Sequence, residues 1–249
     1  MPTERIKFLG VGFDPLTMTE VLGRLAAVTS ESPYGYVVTP NVDHIVRLDK
    51  APDREQLLPL YKGADISVCD SRIIQKLGQL HGLKLPLVAG SDLTVRLFQE
   101  VIRPGDQIAI VGGSPELLTN LEARYPELHF HLYPAPMGLR HDLAARRECA
   151  AFIARTSARF TFIAVGSPQQ EMVAEAVRDF ADAHGMALCI GASLEFITGS
   201  QRRAPRLLQQ LSLEWAYRLA SDPSRLWRRY LVEGPHVFRM ALRERRGRP

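Results

Sequence analysis

Short apolar runs alternate along the chain with segments whose apolar residues recur at helical spacing. Apolar runs of four to eight residues between turn residues are typical of strands buried in a parallel sheet. The sequence predicts seven such strands, at residues 6–13, 34–41, 64–70, 107–113, 129–136, 159–166 and 187–193. Helical spacing is clearest at 92–102, 142–157 and 169–185, and His184-Gly185 favours a helix end in the last of these.

This alternation predicts an α/β fold, with an open, mostly parallel Rossmann-like sheet and helices on both faces. The pattern changes at about residue 200, where the strands stop. Helical spacing then resumes, with Trp215 and Leu219 on one apolar stripe and a break at 222–224. The sequence therefore predicts an α/β domain over 1–200 and a helical appendage over 201–249.

The appendage carries the basic character of the chain. From Arg202 to Pro249 there are 12 arginines and 4 acids, a net charge of +8, whereas the other 201 residues have a net charge of −4. Basic segments are typical of proteins that meet nucleic acid, anionic membrane surfaces or phosphorylated ligands. Charge alone does not choose among these partners.

Cysteine usage and the N-terminus indicate the compartment. Three cysteines without metal-type spacing favour a reducing environment and core positions. The N-terminus lacks the apolar core of a signal peptide, and no run of about 18 apolar residues would span a bilayer. We therefore expect a cytoplasmic protein. A metal site is not expected, because His129 and His131 share one strand face without a third ligand.

Three glycine turns fall at predicted strand ends, where ligands bind to open parallel sheets. They are formed by Gly112 and Gly113, by Gly166 and Ser167, and by Gly191. Glycine allows close backbone approach, and helix N-termini favour anions, so three such turns together predict a phosphate-bearing ligand. Tight strand-to-helix turns would use the same residues. None of the turns has the spacing of a dinucleotide fingerprint or a P-loop.

Polar side chains follow two of the predicted strands. Thr39, Asn41 and Asp43 lie at or after one strand end, and Asp70 ends another. A carboxylate there can accept a proton from a hydroxyl nucleophile, but Asp and Asn at such turns also cap helices. Spacing favours capping for Asp43 and does not decide between the two roles for Asp70.

Seven segments occur in one order along the chain: TPNVDHIV, GADISVCDS, LVAGSDL, RPGDQIAIVGGSPE, YPELHF, VGSPQQE and GSQRRAPRLLQQLSLEWAYRLASDPSRLWRRY. Together they resemble the bacterial WecG/TagA/CpsF glycosyltransferases, which form glycosyltransferase family 26. The resemblance extends from about Ile6 to Arg243. Its C-terminal part is the most specific.

The resemblance implies an inverting, metal-independent hexosyltransferase that uses no cofactor and forms a β-linkage. Such an enzyme moves a hexose or N-acetylhexosamine from a UDP-sugar, of the UDP-glucose or UDP-N-acetylmannosamine type, onto a polyprenyl-diphosphate-linked sugar. The product enters exopolysaccharide or cell-envelope polysaccharide biosynthesis. Residues 1–200 would then bind the UDP-sugar and carry the catalytic groups, while 201–249 would close the site and associate with the anionic inner face of the cell membrane. A homo-oligomer is also compatible with this interpretation.

The resemblance also implies site residues. Catalytic positions fall at Asp70, the candidate base, and at Thr39, Asn41 and Gln170. The donor diphosphate is expected at Gly112, Gly113, Gly166, Ser167, Gly191 and Glu195. Arginines of the appendage are expected to hold phosphate, with Arg203, Arg218, Arg225 and Arg228 as candidates.

Three departures from the family pattern bear on donor specificity. Ser71 and Arg72 stand where Asp-Gly usually continues after the base strand, Leu87 replaces an arginine, and Gln169 replaces a lysine. Two cations near the donor are thereby lost, and Arg72 is a candidate to restore one.

Two other classes of function compete with a transferase. An NAD-dependent enzyme fits the fold class but lacks the glycine fingerprint and the acid that binds ribose. A non-catalytic adaptor for membranes or nucleotides would use the basic appendage alone. An RNA-binding module is disfavoured, because no strand carries the aromatic-basic motif of such modules.

Overall fold

The protein is described here from a computed structural model, which covers residues 4–200, 204–205, 208 and 213–246. Six strands form one parallel sheet: β3 (Gly35–Val38), β4 (Ile66–Ser67), β5 (Gln107–Val111), β6 (His129–Tyr133), β7 (Phe160–Ile163) and β8 (Met186–Cys189). Their order across the sheet is β4-β3-β8-β7-β5-β6. Two further strands, β1 (Ile6–Phe8) and β2 (Val11–Phe13), form a separate antiparallel hairpin.

Twelve α-helices are described. They are α1 (Met18–Ala26), α2 (Val42–Lys50), α3 (Arg54–Gly63), α4 (Arg72–Leu80), α5 (Gly90–Glu100), α6 (Pro115–Arg124), α7 (Leu143–Thr156), α8 (Gln169–Ala176), α9 (Ser193–Thr198), α10 (Glu214–Ser221), α11 (Pro223–Trp227) and α12 (His236–Arg246). Helices α1, α5, α6 and α9 pack on one face of the sheet, and α2, α3, α4, α7, α8 and α12 pack on the other.

The central strands are almost entirely apolar, with Thr161 of β7 as a buried polar exception, because both faces of the sheet are covered. Phe160 and Phe162 of β7 point into one core, Ile163 points into the other, and all three are fully buried. A strand buried on both faces reads as a continuous apolar run instead of an alternating one. The predicted fold class is thus confirmed.

The first predicted strand, at 6–13, is wrong as a strand of the main sheet. These residues form the β1–β2 hairpin, in which Ile6 pairs with Phe13. Leu9 and Gly10 both have positive φ, at 53° and 80°, as a two-residue hairpin turn requires. The apolar run is interrupted by this turn, which the hydrophobic pattern alone does not show.

The helix predicted over 169–185 is too long. Helix α8 ends at Ala176, a 3-10 turn follows at Val177–Asp179, and the chain then leaves the helix. Gly185 does not cap it. Its carbonyl and N–H bond to Gly35 and Ser32, and so align the start of β8 with β3.

The described part of the appendage is mostly helical, and of the predicted break at 222–224 only Asp222 interrupts the helices, because Pro223 and Ser224 already belong to the next one. Asp222 ends α10, α11 begins at Pro223, and a π-helical segment follows at Arg228–Glu233. None of the described helices is long and apolar enough to cross a membrane. The boundary at residue 200 stays a prediction.

Helix α12 is fixed to the first half of the chain. Val237 is 1 % exposed and belongs to the core that α2 and α4 share. His236 lies 2.7 Å from the Asp49 carboxylate, His81 Nε2 lies 3.0 Å from the Ala241 carbonyl oxygen, and Glu244 accepts a hydrogen bond from the Leu9 N–H. The C-terminal helices are therefore held over the α/β domain from their far end.

Gly185→Ala should destabilise the protein by about 2 kcal/mol or more, because its Cβ would lie 2.2 Å from the Ala158 carbonyl oxygen at φ +81°. Gly23→Ala, in the exposed middle of α1 with no atom within 4 Å, is the matched control and should stabilise by about 0.5–1 kcal/mol. Urea denaturation measures both. Equal midpoints for the two variants would contradict the packing around Gly185.

Candidate active site

The parallel sheet brings most of the predicted site residues to one edge. Thr39 and Asn41 follow β3 and Asp70 follows β4, while the three glycine turns follow β8, β7 and β5. Because these strands are parallel, all of these residues lie at the carboxyl ends. Asp70 follows β4, which is the outermost strand on one side of the sheet. The glycine turns follow β8, β7 and β5, which lie progressively farther from β4.

A cleft of about 420 Å³ lies between this edge and the appendage. Asn41 and Asp70 are on its floor, and Trp215, Arg218 and Tyr230 lie on the opposite wall. The Trp215 and Tyr230 rings pack together with centroids 6.2 Å apart. Much of the remaining lining is apolar: Val42, Val46, Ile73, Leu87, Ala89, Leu231, Pro235, Val237 and Phe238. The glycine turns are not part of the cleft lining.

Asp70 is available for chemistry because a neighbour caps the helix after it. The Ser71 side chain accepts the hydrogen bond from the Ile74 N–H at the start of α4. The Asp70 backbone N–H is bonded to the Pro40 carbonyl oxygen, which fixes the residue beside the end of β3. The helix-capping role that the sequence left open for Asp70 belongs to Ser71.

The surroundings of Asp70 favour its protonated form. The pKa of the Asp70 carboxyl group is raised from 3.8 to about 7, mainly by burial and in smaller part by the Glu214 and Asp92 carboxylates. A hydrogen bond from the Gly90 backbone N–H and the charge of Arg218 act in the opposite direction. A carboxyl group that titrates near neutrality can both accept and release a proton.

Thr39 and Asn41 lie beside Asp70 in different roles. A Cβ on Gly90 would lie 3.0 Å from Thr39 Oγ1 and 3.4 Å from Asp70 Oδ2, so glycine lets α5 begin against both side chains. Thr39 is 3 % exposed. Asn41 caps α2, since its Oδ1 accepts hydrogen bonds from the N–H groups of Asp43 and His44. Asp43 does not cap this helix.

Gln170 is buried behind the cleft. It is 1 % exposed, its Nε2 donates to Glu171 Oε1 at 2.9 Å, and its Oε1 accepts from the Gly191 N–H at 3.0 Å. Gln170 thus joins the turn after β7 to the turn after β8. Its predicted catalytic role stays a prediction.

Glu171 and His44 form a buried pair that the sequence analysis missed. Glu171 is fully buried, and its Oε1 lies 3.9 Å from His44 Nδ1. Burial lowers the pKa of His44, while the Glu171 and Asp43 carboxylates oppose that shift. A carboxylate directly after Gln170 was visible in the sequence, but its pairing with a residue 127 positions earlier was not.

The glycine turns divide into packed and open positions. A Cβ on Gly112 would lie 2.8 Å from the Val165 side chain, and one on Gly113 would lie 2.7 Å from that of Leu117. At Gly166 a Cβ would meet no atom within 4 Å, and at Gly191 it would meet only Gln170 Oε1, at 4.0 Å. The backbone is therefore open to a ligand at the turns after β7 and β8. The donor-binding roles of all these turns stay predictions.

Two other residues predicted at the donor diphosphate lie beside these turns. Ser167 is tied to neighbouring elements, because its carbonyl oxygen accepts from Arg47 Nη1 and its Oγ lies 3.1 Å from the Tyr61 hydroxyl. Glu195 lies on α9 and is half-buried. Their predicted contact with a phosphate stays a prediction.

Arginines of the appendage lie both inside and outside the cleft, and their predicted contact with phosphate stays a prediction. Arg218 lines the cleft, whereas Arg228 is exposed and lies over the Trp227 ring at 5.5 Å. Arg229, which the sequence analysis did not select, lines the cleft beside Asp43 at 3.3 Å. The sequence does not show which of two adjacent arginines faces the cleft, because that depends on the rotation of the helix about its axis. Arg203 and the Arg225 side chain lie outside the described residues.

Carboxylates outnumber guanidinium groups among the described residues of the cleft lining. The acids are Asp43, Asp70, Asp92, Glu214 and Glu233, and the arginines are Arg72, Arg218 and Arg229. Arg218 is paired with Glu214 at 2.8 Å, and Asp43 is paired with both Arg229 and Arg47. An anion that enters this cleft therefore meets two arginines of the appendage, Arg218 and Arg229, that already hold carboxylates.

Two of the departures from the family pattern lie at the cleft. Leu87 contributes an apolar side chain to its wall, and Arg72 lines it beside Asp70, where it adds a positive charge. Gln169 lies at the first position of α8, and its Oε1 is buried without a hydrogen-bond partner.

The three cysteines are buried and unpaired by disulfides, as expected for core positions. Burial raises the pKa of Cys69 to about 12 and that of Cys149 to about 11, so both thiols are unreactive at neutral pH. Within the described residues, no group of three or more His, Cys, Asp or Glu side chains is placed to hold a metal ion.

A comparison with protein-family models assigns residues 6–249 to the model described as "Glycosyl transferase WecG/TagA/CpsF family". The match covers nearly the whole chain, including the α/β domain and the appendage that face each other across the cleft.

The raised pKa of Asp70 predicts a pH-dependent change in stability. The folded protein binds the Asp70 proton more tightly than the unfolded chain does, so ionisation of Asp70 in the fold costs stability, and this cost builds up as the pH rises from about 4 to about 7. Asp70→Asn removes this cost. We expect the free energy of unfolding of the variant to exceed that of the wild type by on the order of 2 kcal/mol at pH 8, and to be nearly equal to it at pH 4.

Urea denaturation at the two pH values measures this difference, with Asp182→Asn, at an exposed position away from the cleft, as the control. The control should change stability equally at both pH values. A difference for Asp70→Asn that is the same at pH 4 and pH 8 would contradict the raised pKa.

Proposed function

This chain belongs to the WecG/TagA/CpsF glycosyltransferase family, and we propose that it transfers a hexose or N-acetylhexosamine from a UDP-sugar to a polyprenyl-diphosphate-linked sugar. The observation that carries the proposal is the Asp70 carboxyl group, with its pKa raised to about 7, on the floor of the cleft that the appendage covers. Membership of the family supports a glycosyltransferase of cell-envelope polysaccharide biosynthesis. Donor, acceptor and linkage belong to the proposal.

Asp70 acts as the general base in this proposal. Its carboxylate accepts the proton of the acceptor hydroxyl while the oxygen forms a bond to the anomeric carbon. The bond between that carbon and the UDP oxygen breaks, and its electron pair leaves with the diphosphate. Attack from the face opposite UDP inverts the anomeric centre and gives a β-linkage from an α-linked donor.

The leaving diphosphate gains negative charge, which the protein has to stabilise. The open glycines at 166 and 191 leave room for it beside the carboxyl ends of β7 and β8. Arg218 lies on the cleft wall and within 5.3 Å of the Phe196 ring of α9, the helix that follows Gly191. Its planar guanidinium group can donate two parallel hydrogen bonds to phosphate oxygens.

The apolar lining of the cleft suits the lipid part of the acceptor. Leu231 and Phe238 line the cleft and are also 55 % and 50 % exposed, so the apolar surface continues from the cleft to the outside. Val232 and Leu242 extend this exposed surface, and Arg239 and Arg243 lie exposed on the same helix as Leu242. Apolar and basic side chains on one helical segment favour seating on an anionic membrane surface.

Release of UDP by the purified protein tests the reaction. The assay contains a synthetic polyprenyl-diphosphate-sugar, a panel of UDP-sugars, and EDTA. We expect acceptor-dependent release with a restricted set of donors. Asp70→Asn should lower the turnover rate by about 100-fold or more, the usual contribution of a general base, while the Kd for UDP stays within about two-fold.

Asp182→Asn serves as the control and should release UDP at the wild-type rate. Wild-type turnover by Asp70→Asn would remove Asp70 from the role of base. If the wild-type protein does not bind UDP, the proposal that a UDP-sugar is its donor is overturned. The remaining interpretation is then a non-catalytic adaptor that uses the basic appendage.

Membrane seating predicts that exposed apolar residues of the appendage contribute to vesicle binding. The double variant Val232→Ser, Leu242→Ser should bind vesicles of anionic phospholipid about ten-fold more weakly than the wild type, because two aliphatic side chains no longer enter the interface. Sedimentation with vesicles measures this. Met137→Ser with Leu143→Ser, which changes two exposed apolar side chains near the β6 edge, is the matched control. Equal losses in both double variants would contradict a specific role for the appendage.

A further inference from the structure

Arg218, the cleft arginine whose charge lowers the pKa of Asp70, already holds an anion of the protein itself. Arg218 Nη2 lies 2.8 Å from Glu214 Oε1, four residues earlier on α10, and both residues line the cleft. Their side chains are 39 % and 32 % exposed, so the pair is open to an entering ligand. Both charges act on Asp70, Glu214 raising the pKa of its carboxyl group and Arg218 lowering it.

The position of Arg218 is fixed from two sides. Glu214 accepts a hydrogen bond from the guanidinium group of Arg218. The Arg218 Cζ atom lies 5.3 Å from the centroid of the Phe196 ring. Phe196 belongs to α9, which follows the open turn at Gly191. The pair thus acts on Asp70 through its charges and contacts α9, the helix that follows the turn after β8.

We propose that Glu214 is a stand-in for phosphate: it occupies Arg218 in the free protein and releases it to an oxygen of the donor diphosphate. Carboxylate and phosphate oxygens compete for the same guanidinium N–H groups, and phosphate carries more charge. The inference rests on the proposed function, since it takes a nucleoside diphosphate as the ligand.

The charges of the cleft favour replacement of Glu214 by the diphosphate on Arg218 over binding of both anions to Arg218 at the same time. The other described arginine on the appendage wall, Arg229, lies 3.3 Å from Asp43, which also binds Arg47. A diphosphate would place further negative charge beside Asp70 and Glu214. Release of Glu214 toward solvent lowers this repulsion, because its partly exposed carboxylate can be hydrated.

An internal competitor also gives the site selectivity. Every ligand has to displace Glu214 before it gains Arg218, and a group with less charge than a diphosphate gains less from the exchange. Specificity of this kind comes from a cost imposed on the wrong ligand as much as from contacts with the right one. The expected preference is for a diphosphate over a neutral or singly charged group.

The alternative role for Glu214 is to orient Arg218 for the ligand without leaving it. The two roles predict opposite signs for the same substitution. If Glu214 competes, Glu214→Gln tightens the binding of a diphosphate, and if Glu214 orients, the same change weakens binding.

Binding of UDP and of inorganic pyrophosphate by isothermal titration calorimetry tests the inference. Glu214→Gln should lower the Kd for both probes about three- to five-fold, the worth of a partly exposed ion pair. Arg218→Ala should raise the Kd for both. In the Arg218→Ala background, Glu214→Gln should have no further effect, because the arginine for which they compete is absent.

Glu100→Gln is the matched control. Glu100 pairs with Arg96 at the same i,i+4 spacing at 2.7 Å, on the exposed side of α5, and its substitution should leave both Kd values unchanged. A second readout is the acid limb of the pH profile of turnover, which Glu214→Gln should move to lower pH because a carboxylate near Asp70 is removed. Thermal denaturation of each variant checks that it is folded.

The outcomes separate this inference from the proposed function. If Arg218→Ala weakens UDP binding but Glu214→Gln weakens it or leaves it unchanged, the exchange is overturned and the proposed function stands. If the wild type does not bind UDP, the proposed function falls and the exchange falls with it. If Glu214→Gln still lowers the Kd in the Arg218→Ala background, the effect comes from general charge repulsion and not from competition for Arg218. That result would also overturn the inference.

Discussion

The docking of α12 against the start of the chain is the constraint on which the candidate site depends. Val237 fills the core shared with α2 and α4, and Glu244 bonds to the β1–β2 hairpin through the Leu9 N–H. The residues of the appendage that line the cleft run from Glu214 to Phe238, so most of them precede α12 in the sequence. None of the residues of α10 is buried. Its position over Asp70 is therefore set mainly by contacts made farther along the chain.

This arrangement joins two sources of charge that would otherwise be far apart. The α/β domain supplies Asp70 and Asp43, and the appendage supplies Arg218, Arg229 and Glu214. A partly enclosed cleft strengthens the interactions among these groups compared with the same groups in water. The proton affinity of Asp70 is therefore a property of the assembled cleft and cannot be assigned to β4 alone.

Much of the sheet was predictable from the sequence, because a strand buried on both faces leaves an apolar run of recognisable length. The β1–β2 hairpin was not, since two adjacent residues with positive φ leave no mark in a hydrophobic pattern. The early end of α8 was missed for a similar reason. Gly185 bonds to Ser32 and Gly35 and does not cap a helix, and these partners lie 153 and 150 positions earlier in the chain.

The site was predictable where a single strand end defined it and not where two distant segments meet. Asp70 and Asn41 were selected because parallel strands end at one edge, and both line the cleft, while their catalytic roles stay predictions. Arg229 was passed over in favour of its neighbour Arg228, because their directions depend on the phase of a π-helical segment. Glu171 and His44 face each other through the folding of α2 against α8, which the order of residues does not reveal.

The bond between Glu244 and the hairpin also has a consequence for synthesis of the protein on the ribosome. The hairpin and the sheet emerge first, and domains generally fold as they emerge. The contacts that hold the wall of the cleft, however, include a residue at position 244. A nascent chain can therefore complete its sheet while Asp70 still faces open water, and the cleft closes only after residue 244 has been translated.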